Sequence, residues 1–151
     1  KMAELQAPLG GEFSGHFCFA DRWYGFDDAL YAAARLIEIL SQQRAGLSEM
    51  LADLPKTVNT PELLLEVGDE RKFDIIKTIS EAADFGAGEV NLLDGIRVDY
   101  PDGWGLLRAS NTTPCLSMRF EAKTPEVLEQ VQQIFQKVLV DHFPDLAEAL
   151  R

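Results

Sequence analysis

Residues 108–114 read Arg108-Ala109-Ser110-Asn111-Thr112-Thr113-Pro114: an arginine closing an apolar run, then hydroxyl and amide side chains, then a proline. A guanidinium fork can meet two oxygens of an anion, hydroxyls can donate to others, and a turn leaves backbone N–H groups free, a combination that suits a phosphate. Arg119 lies in the next apolar run, alternates with Met118 and Phe120 and so leaves their face, which makes it a further candidate for the same anion. On composition alone the plainer reading, a polar hairpin loop with an exposed arginine, carries more weight.

The second segment is Gly10-Gly11-Glu12-Phe13-Ser14-Gly15-His16. If extended, Glu12, Ser14 and His16 project to one side. A carboxylate that accepts from vicinal hydroxyls is a natural grip on a sugar, and the imidazole could move a proton near neutral pH. A loop with a solvated glutamate and an incidental histidine fits the same letters. The glycines do not match a nucleotide loop, because no strand-to-helix crossover opens there.

The 151 residues suffice for one ordinary domain or a small domain with part of another. With 46% hydrophobic residues the chain reads as globular. Its formal charge of −11 repels nucleic acid and anionic lipid at long range, so neither is expected as a partner, while a local anion pocket remains possible. Cys18 and Cys115 sit in apolar runs and read as two buried free thiols. No secretory signal opens the chain and no apolar run would span a bilayer, which points to a cytoplasmic protein.

The elements that must position these groups follow from periodicity. Residues 8–19 read as strand, glycine-rich loop and second apolar stretch; Asp27 or Asp28 can cap a helix over 29–40. That helix is apolar around most of its circumference and expects neighbours on several sides, which the first fifty residues do not supply. Residues 41–59 lose periodicity and read as a linker with room for a short helix near Leu47 and Leu51. Then come a strand over 61–67, a helix over 73–83 with Phe73, Ile76, Ile79 or Ser80, and Ala83 as its stripe, and strands at 89–93, 95–100, 104–109 and 116–122. Tyr100-Pro101-Asp102-Gly103 is a turn. Thr124 caps a last helix with Pro125 at its first position and Leu128, Val131, Phe135 and Val138 as its stripe. Consecutive strands joined by a tight turn predict an antiparallel sheet with helices on one face, an α+β class.

Taken together, Gly11-Glu12-Phe13-Ser14-Gly15-His16 resembles the sugar-recognition loop of the α-D-phosphohexomutases, and Arg108-Ala109-Ser110-Asn111-Thr112-Thr113-Pro114 resembles their phosphate-binding loop. The flanks Asp21-Arg22-Trp23-Tyr24-Gly25-Phe26-Asp27-Asp28, Leu93-Asp94-Gly95-Ile96-Arg97-Val98-Asp99-Tyr100 and Gly103-Trp104-Gly105 are similar to that family in its order and spacing, and look like its phosphomannomutase/phosphoglucomutase branch. Phe13 stands where the family usually has methionine.

The resemblance implies four domains around a cleft. Residues 1–45 would be the last part of the third, sugar-recognition α/β domain, 46–53 a linker, and 54–151 the whole fourth domain, a TATA-binding-protein-like α+β sandwich. It further implies transfer of phosphate between O1 and O6 of a hexose through a phosphoserine, a glucose 1,6-bisphosphate type of intermediate and Mg²⁺, with the serine and the metal ligands on missing N-terminal domains. Glu12 and Ser14 would hold the sugar O3 and O4, a grip that accepts glucose and mannose alike. Arg108, Ser110, Asn111 and Thr112, with Arg119, would hold the phosphate that is not transferred. His16 would be the acid/base candidate, with a phosphate-contacting histidine as the equal alternative. His142 reads as a surface group or a helix C-terminal charge. The chain alone is expected to be inactive. A non-catalytic phosphosugar-binding or regulatory module is the competing expectation, and a purely structural interaction domain leaves Arg108 to Thr112 without a role.

Overall fold

The computed structural model describes residues 1–12 and 15–150. The chain forms two compact units, Lys1–Leu54 and Pro55–Arg151.

The first unit runs α1 (Met2–Leu5), β1 (Leu9–Gly11), β2 (Phe17–Phe19), α2 (Ala29–Ser41) and α3 (Leu47–Met50). β1 and β2 pair antiparallel, with Leu9 opposite Phe19 and Gly11 opposite Phe17. Of the two aspartates that could cap α2, Asp28 does so: its Oδ1 accepts from Tyr31 N at 2.9 Å. None of the α2 residues is buried, and Leu30 and Ile37 are 85% and 65% exposed. Cys18 and Cys115 are free thiols as expected, but half-buried rather than buried. The short α1 was not legible, because four residues are too few for a periodic signal.

The second unit runs β3 (Val58–Asn59), β4 (Leu63–Glu66), α4 (Asp69–Ala82), β5 (Glu89–Asn91), β6 (Ile96–Tyr100), β7 (Gly103–Ala109), β8 (Cys115–Ala122) and α5 (Pro125–His142), with a 3₁₀ turn at Pro144–Leu146. The antiparallel sheet has the order β3-β8-β7-β6-β5, and β4 pairs with β8 alongside β3. β6 and β7 join through Pro101-Asp102, with Tyr100 opposite Gly103, so the predicted turn is the hairpin turn. The Thr124 cap is likewise present, accepting from Val127 N.

Alternation divides the sheet cleanly. Leu65, Ile96, Val98, Leu107, Leu116, Met118 and Phe120 point to one face and meet Ile75 and Ile79 of α4 and Val131, Phe135, Val138 and Leu139 of α5 in one core. Burying each such side chain contributes about 1.5–3 kcal/mol. Phe135 seats its ring against Gly105, where a Cβ would come within 2.4 Å of Cε2. Here glycine is required by the close approach.

Two readings need correction. α4 starts at Asp69, four residues before the expected Phe73, because its acidic first turn carries no apolar signal. Its buried stripe is Lys72, Ile75 and Ile79, while Phe73 is 57% exposed. A lysine stands on the core-facing row, so the apolar pattern alone rotates the helix by one position. β3 falls inside the stretch read as linker; two residues are too short to show alternation, and their pairing with Glu121 and Ala122 is what makes them a strand.

Candidate functional site

Arg108 is placed by β7. Leu107 before it is fully buried in the core, so Arg108 emerges on the opposite face, directly across from Ser117. Arg119 lies on that face too, paired with Leu106 rather than with Arg108, and is therefore two residue pairs further from the loop. Its guanidinium is 3.9 Å from Glu62. Arg108 Nη1 lies 3.3 Å from Asp94 Oδ2, and that carboxylate is 76% exposed. Such a surface pair is weak and screened, so an incoming anion can replace Asp94 at little cost.

The loop after Arg108 is closed by its own side chains. Ser110 N donates to Cys115 O at 2.9 Å. Ser110 Oγ accepts from the Thr113 hydroxyl at 2.8 Å, from Thr113 N at 3.2 Å and from Thr112 N at 3.4 Å. The serine hydroxyl thus organises the turn from inside. Asn111 and Thr112 are exposed at the tip. The structure brings Arg108, Ser110, Asn111 and Thr112 together at one end of the β7–β8 hairpin.

In the first unit, Glu12 and His16 face each other across the end of the β1–β2 hairpin. Glu12 N donates to His16 O at 2.9 Å and Gly15 N to Glu12 O at 3.0 Å. These two bonds bring the described ends of the segment, Glu12 and His16, side by side. Phe13 and Ser14 lie outside the described residues. His16 Nδ1 is 3.6 Å from Glu12 Oε2, and its Nε2 is 3.9 Å from Asp27 Oδ2. An imidazole about half exposed between two carboxylates can take or give a proton at either ring nitrogen. By sequence Asp27 reads only as a possible helix cap. The isolated bridge between Cys18 and Asp27 carries it to β2, a pairing with no local signal.

The 21–28 turn that delivers Asp27 is held by side chains on α2. Trp23 stacks on Tyr31 with ring centroids 4.3 Å apart, and its Nε1 donates to Asp28 at 3.2 Å. Arg22, at φ 59°, donates from both terminal nitrogens to Glu38 at 3.0 and 2.9 Å. The hydrogen bond from Arg22 holds the Glu38 carboxyl below its usual range, and Glu38 in turn raises Arg22. His142 ends α5 with Nδ1 2.9 Å from Val138 O.

The family model described as "Phosphoglucomutase/phosphomannomutase, alpha/beta/alpha domain III" matches residues 1–58, and "Phosphoglucomutase/phosphomannomutase, C-terminal domain" matches residues 62–138. The chain belongs to the phosphoglucomutase/phosphomannomutase family. It is 48% identical over 146 residues to a phosphomannomutase/phosphoglucomutase of Pseudomonas syringae pv. tomato, covering 97% of this chain and 31% of that protein. It is 50% identical over 139 residues to the protein of the same description from Pseudomonas aeruginosa, covering 92% and 30%. A crystal structure of a phosphoglucomutase/phosphomannomutase family protein from Burkholderia thailandensis is similar with a TM-score of 0.79 at 47% identity, over 93% of this chain and 29% of that one. The chain thus spans about 30% of the length of the curated relatives it matches. Among the described residues, no three His, Cys, Asp or Glu side chains are placed to hold a metal ion. Among the same residues, no helix is long and apolar enough to cross a membrane.

Proposed function

We propose that this chain is the substrate-gripping part of a phosphohexomutase that interconverts hexose 1-phosphate and hexose 6-phosphate, of glucose and mannose, through a phosphoserine and a 1,6-bisphosphate intermediate. The observation that carries this reading is Arg108 at the mouth of the Ser110–Thr113 turn, paired with the exposed carboxylate of Asp94, in a chain of this family. Arg108 contributes the bidentate fork, and Ser110, Asn111 and Thr112 contribute hydroxyl, amide and backbone donors to the phosphate that stays on the sugar. Arg119, seated two residue pairs away along β8, adds positive charge to the same face. Glu12 and Ser14 take the O3 and O4 hydroxyls, and His16, flanked by Glu12 and Asp27, handles the proton of the attacked or departing hydroxyl.

Phosphoryl transfer rests on positioning and on neutralising charge, which is what these groups supply. The phosphoserine, Mg²⁺ and the bisphosphate intermediate belong to the larger enzyme, and the 151 residues alone bind without turnover. A cytoplasmic setting belongs to the proposal, since hexose phosphates carry charge that a bilayer excludes.

The test is an NMR titration of this chain with glucose 1-phosphate and mannose 1-phosphate, in wild type and Arg108→Ala. Both sugars are expected to shift the amides of Arg108, Ser110, Asn111 and Thr112 weakly in wild type and not in the variant. Shifts that persist in Arg108→Ala, or an absence of shifts with both ligands, overturn the reading.

A further inference from the structure

Lys72 is a charged residue in the core-facing row of α4, only 4% exposed. Burying an ammonium is costly unless it is paired, and a methionine or leucine would fill the same space without that cost. Two hydrogen-bond partners explain its presence, beside the Phe73 ring 5.2 Å from Nζ. Nζ donates to Thr113 O at 2.8 Å and to Asp69 Oδ1 at 2.9 Å. Asp69 is on the exposed first turn of the same helix, with its side chain 78% exposed, and offsets the charge. Thr113 is forty-one residues away and belongs to the turn after Arg108.

Two backbone donors act beside it. Val67 N and Gly68 N both reach Pro114 O at 3.0 Å. The β4–α4 junction therefore aims three N–H donors at two consecutive carbonyls on the inner side of the loop. On its outer side the same loop presents Asn111 and Thr112 to solvent. Turning the Thr113 and Pro114 carbonyls inward leaves the outward surface to donors and removes acceptor oxygens that would repel an anion. We infer that Lys72 is the positioning residue of the Arg108–Thr113 phosphate loop, holding its carbonyls away from the ligand without touching the ligand itself. This rests on the proposed phosphate role of the loop for its functional meaning, and on the hydrogen bonds alone for its structural claim. With its side chain 5% exposed, Lys72 is not a phosphate ligand in this arrangement.

The experiment compares wild type, Lys72→Met and Lys72→Arg of the 151-residue chain. Amide hydrogen exchange without ligand comes first. Lys72→Met is expected to speed exchange at Thr112 and Thr113 about ten-fold, the factor one charge-assisted hydrogen bond carries, and to leave Val98 and Leu107 in the core unchanged. Lys72→Arg, which keeps charge and donors, is expected to restore part of the protection. Glucose 1-phosphate is then titrated, with binding to Lys72→Met expected to weaken about ten-fold while the denaturation midpoint stays near wild type. Unchanged loop exchange, or loop and core loosening together, overturns the inference. Because the exchange comparison needs no ligand, a wild type that ignores glucose 1-phosphate sinks the phosphate reading and leaves Lys72 decided by its amides. Should Lys72→Met fail to fold, a through-hydrogen-bond coupling between Lys72 Nζ and the Thr113 carbonyl carbon in wild type supports the inference, and a spectrum of Lys72 Nζ without it overturns it.

Discussion

Gly95 lies flat against Arg108: a Cβ on Gly95 would come 2.6 Å from the Arg108 Cβ and 2.5 Å from the Leu107 carbonyl oxygen. The strand that carries the arginine can sit where it does only because residue 95 has no side chain, and Asp94 next to it reaches the guanidinium. Gly95 also has φ +76°, which a residue with a Cβ adopts at a cost of roughly 1–2 kcal/mol. Gly95→Ala is therefore expected to destabilise the second unit by about 2 kcal/mol or more, adding the clash to the backbone term. Urea denaturation measures this. A loss below about 0.5 kcal/mol, the usual scatter of surface changes, would show that the contact relaxes freely.

Phe135 is the largest fully buried side chain and meets Phe85 and Phe120 with ring centroids 5.0 and 5.2 Å away. Its ring also covers Gly105, which has no side chain to fill the void that truncation opens. Phe135→Ala should cost about 3–5 kcal/mol, and Phe135→Leu distinctly less. Equal denaturation midpoints for the two variants would contradict this packing.

The Arg22–Glu38 pair makes the first unit sensitive to acid. Glu38 has a folded-state pKa below its unfolded value of about 4.3, first through the hydrogen bond from Arg22 and then through the charges of Arg22 and Arg35. A depressed carboxyl contributes stability that is present above the unfolded pKa and disappears as pH falls through the folded one. The α2 amides are expected to lose protection in that acid window, and Glu38→Gln to remove the pH dependence. Carboxyl carbon shifts of Glu38 give the midpoint directly; an ordinary value would refute the linkage.

Tyr100 links the second unit's stability to alkaline pH. Burial raises its phenol above the ordinary value of about 10, and its hydroxyl donates to Phe85 O at 3.0 Å. The folded state holds this proton more tightly than the unfolded one, so the contribution is complete below about pH 10 and is lost as pH rises through the folded value. Tyr100→Phe should cost about 0.5–1.5 kcal/mol at neutral pH through the lost hydrogen bond and should flatten the alkaline decline. Denaturation curves at pH 8 and above pH 10 decide it: equal slopes for both proteins would mean the phenol is not the group involved.

Much of the second unit is set by sequence alone. The alternation of Leu116, Met118, Phe120 and Ala122, the Tyr100–Gly103 turn, the Thr124-Pro125 cap and the Val131–Phe135–Val138 stripe are local patterns with a local physical cause, and each folds as its period demands. The letters of residues 108–114 also name their chemistry, since a guanidinium and adjacent hydroxyls suit an anion wherever they are placed. What tertiary structure decided are the relations across distance in the chain. Lys72 counts as polar in any local pattern, yet it is buried because a carbonyl forty-one residues later needs a donor. Asp27 comes within reach of His16 only through a bridge to β2, and β3 exists only because β8 lies beside it. Periodicity reports how a residue sits on its own element; which partner waits there depends on hydrogen bonds and packing that form only when separate elements meet.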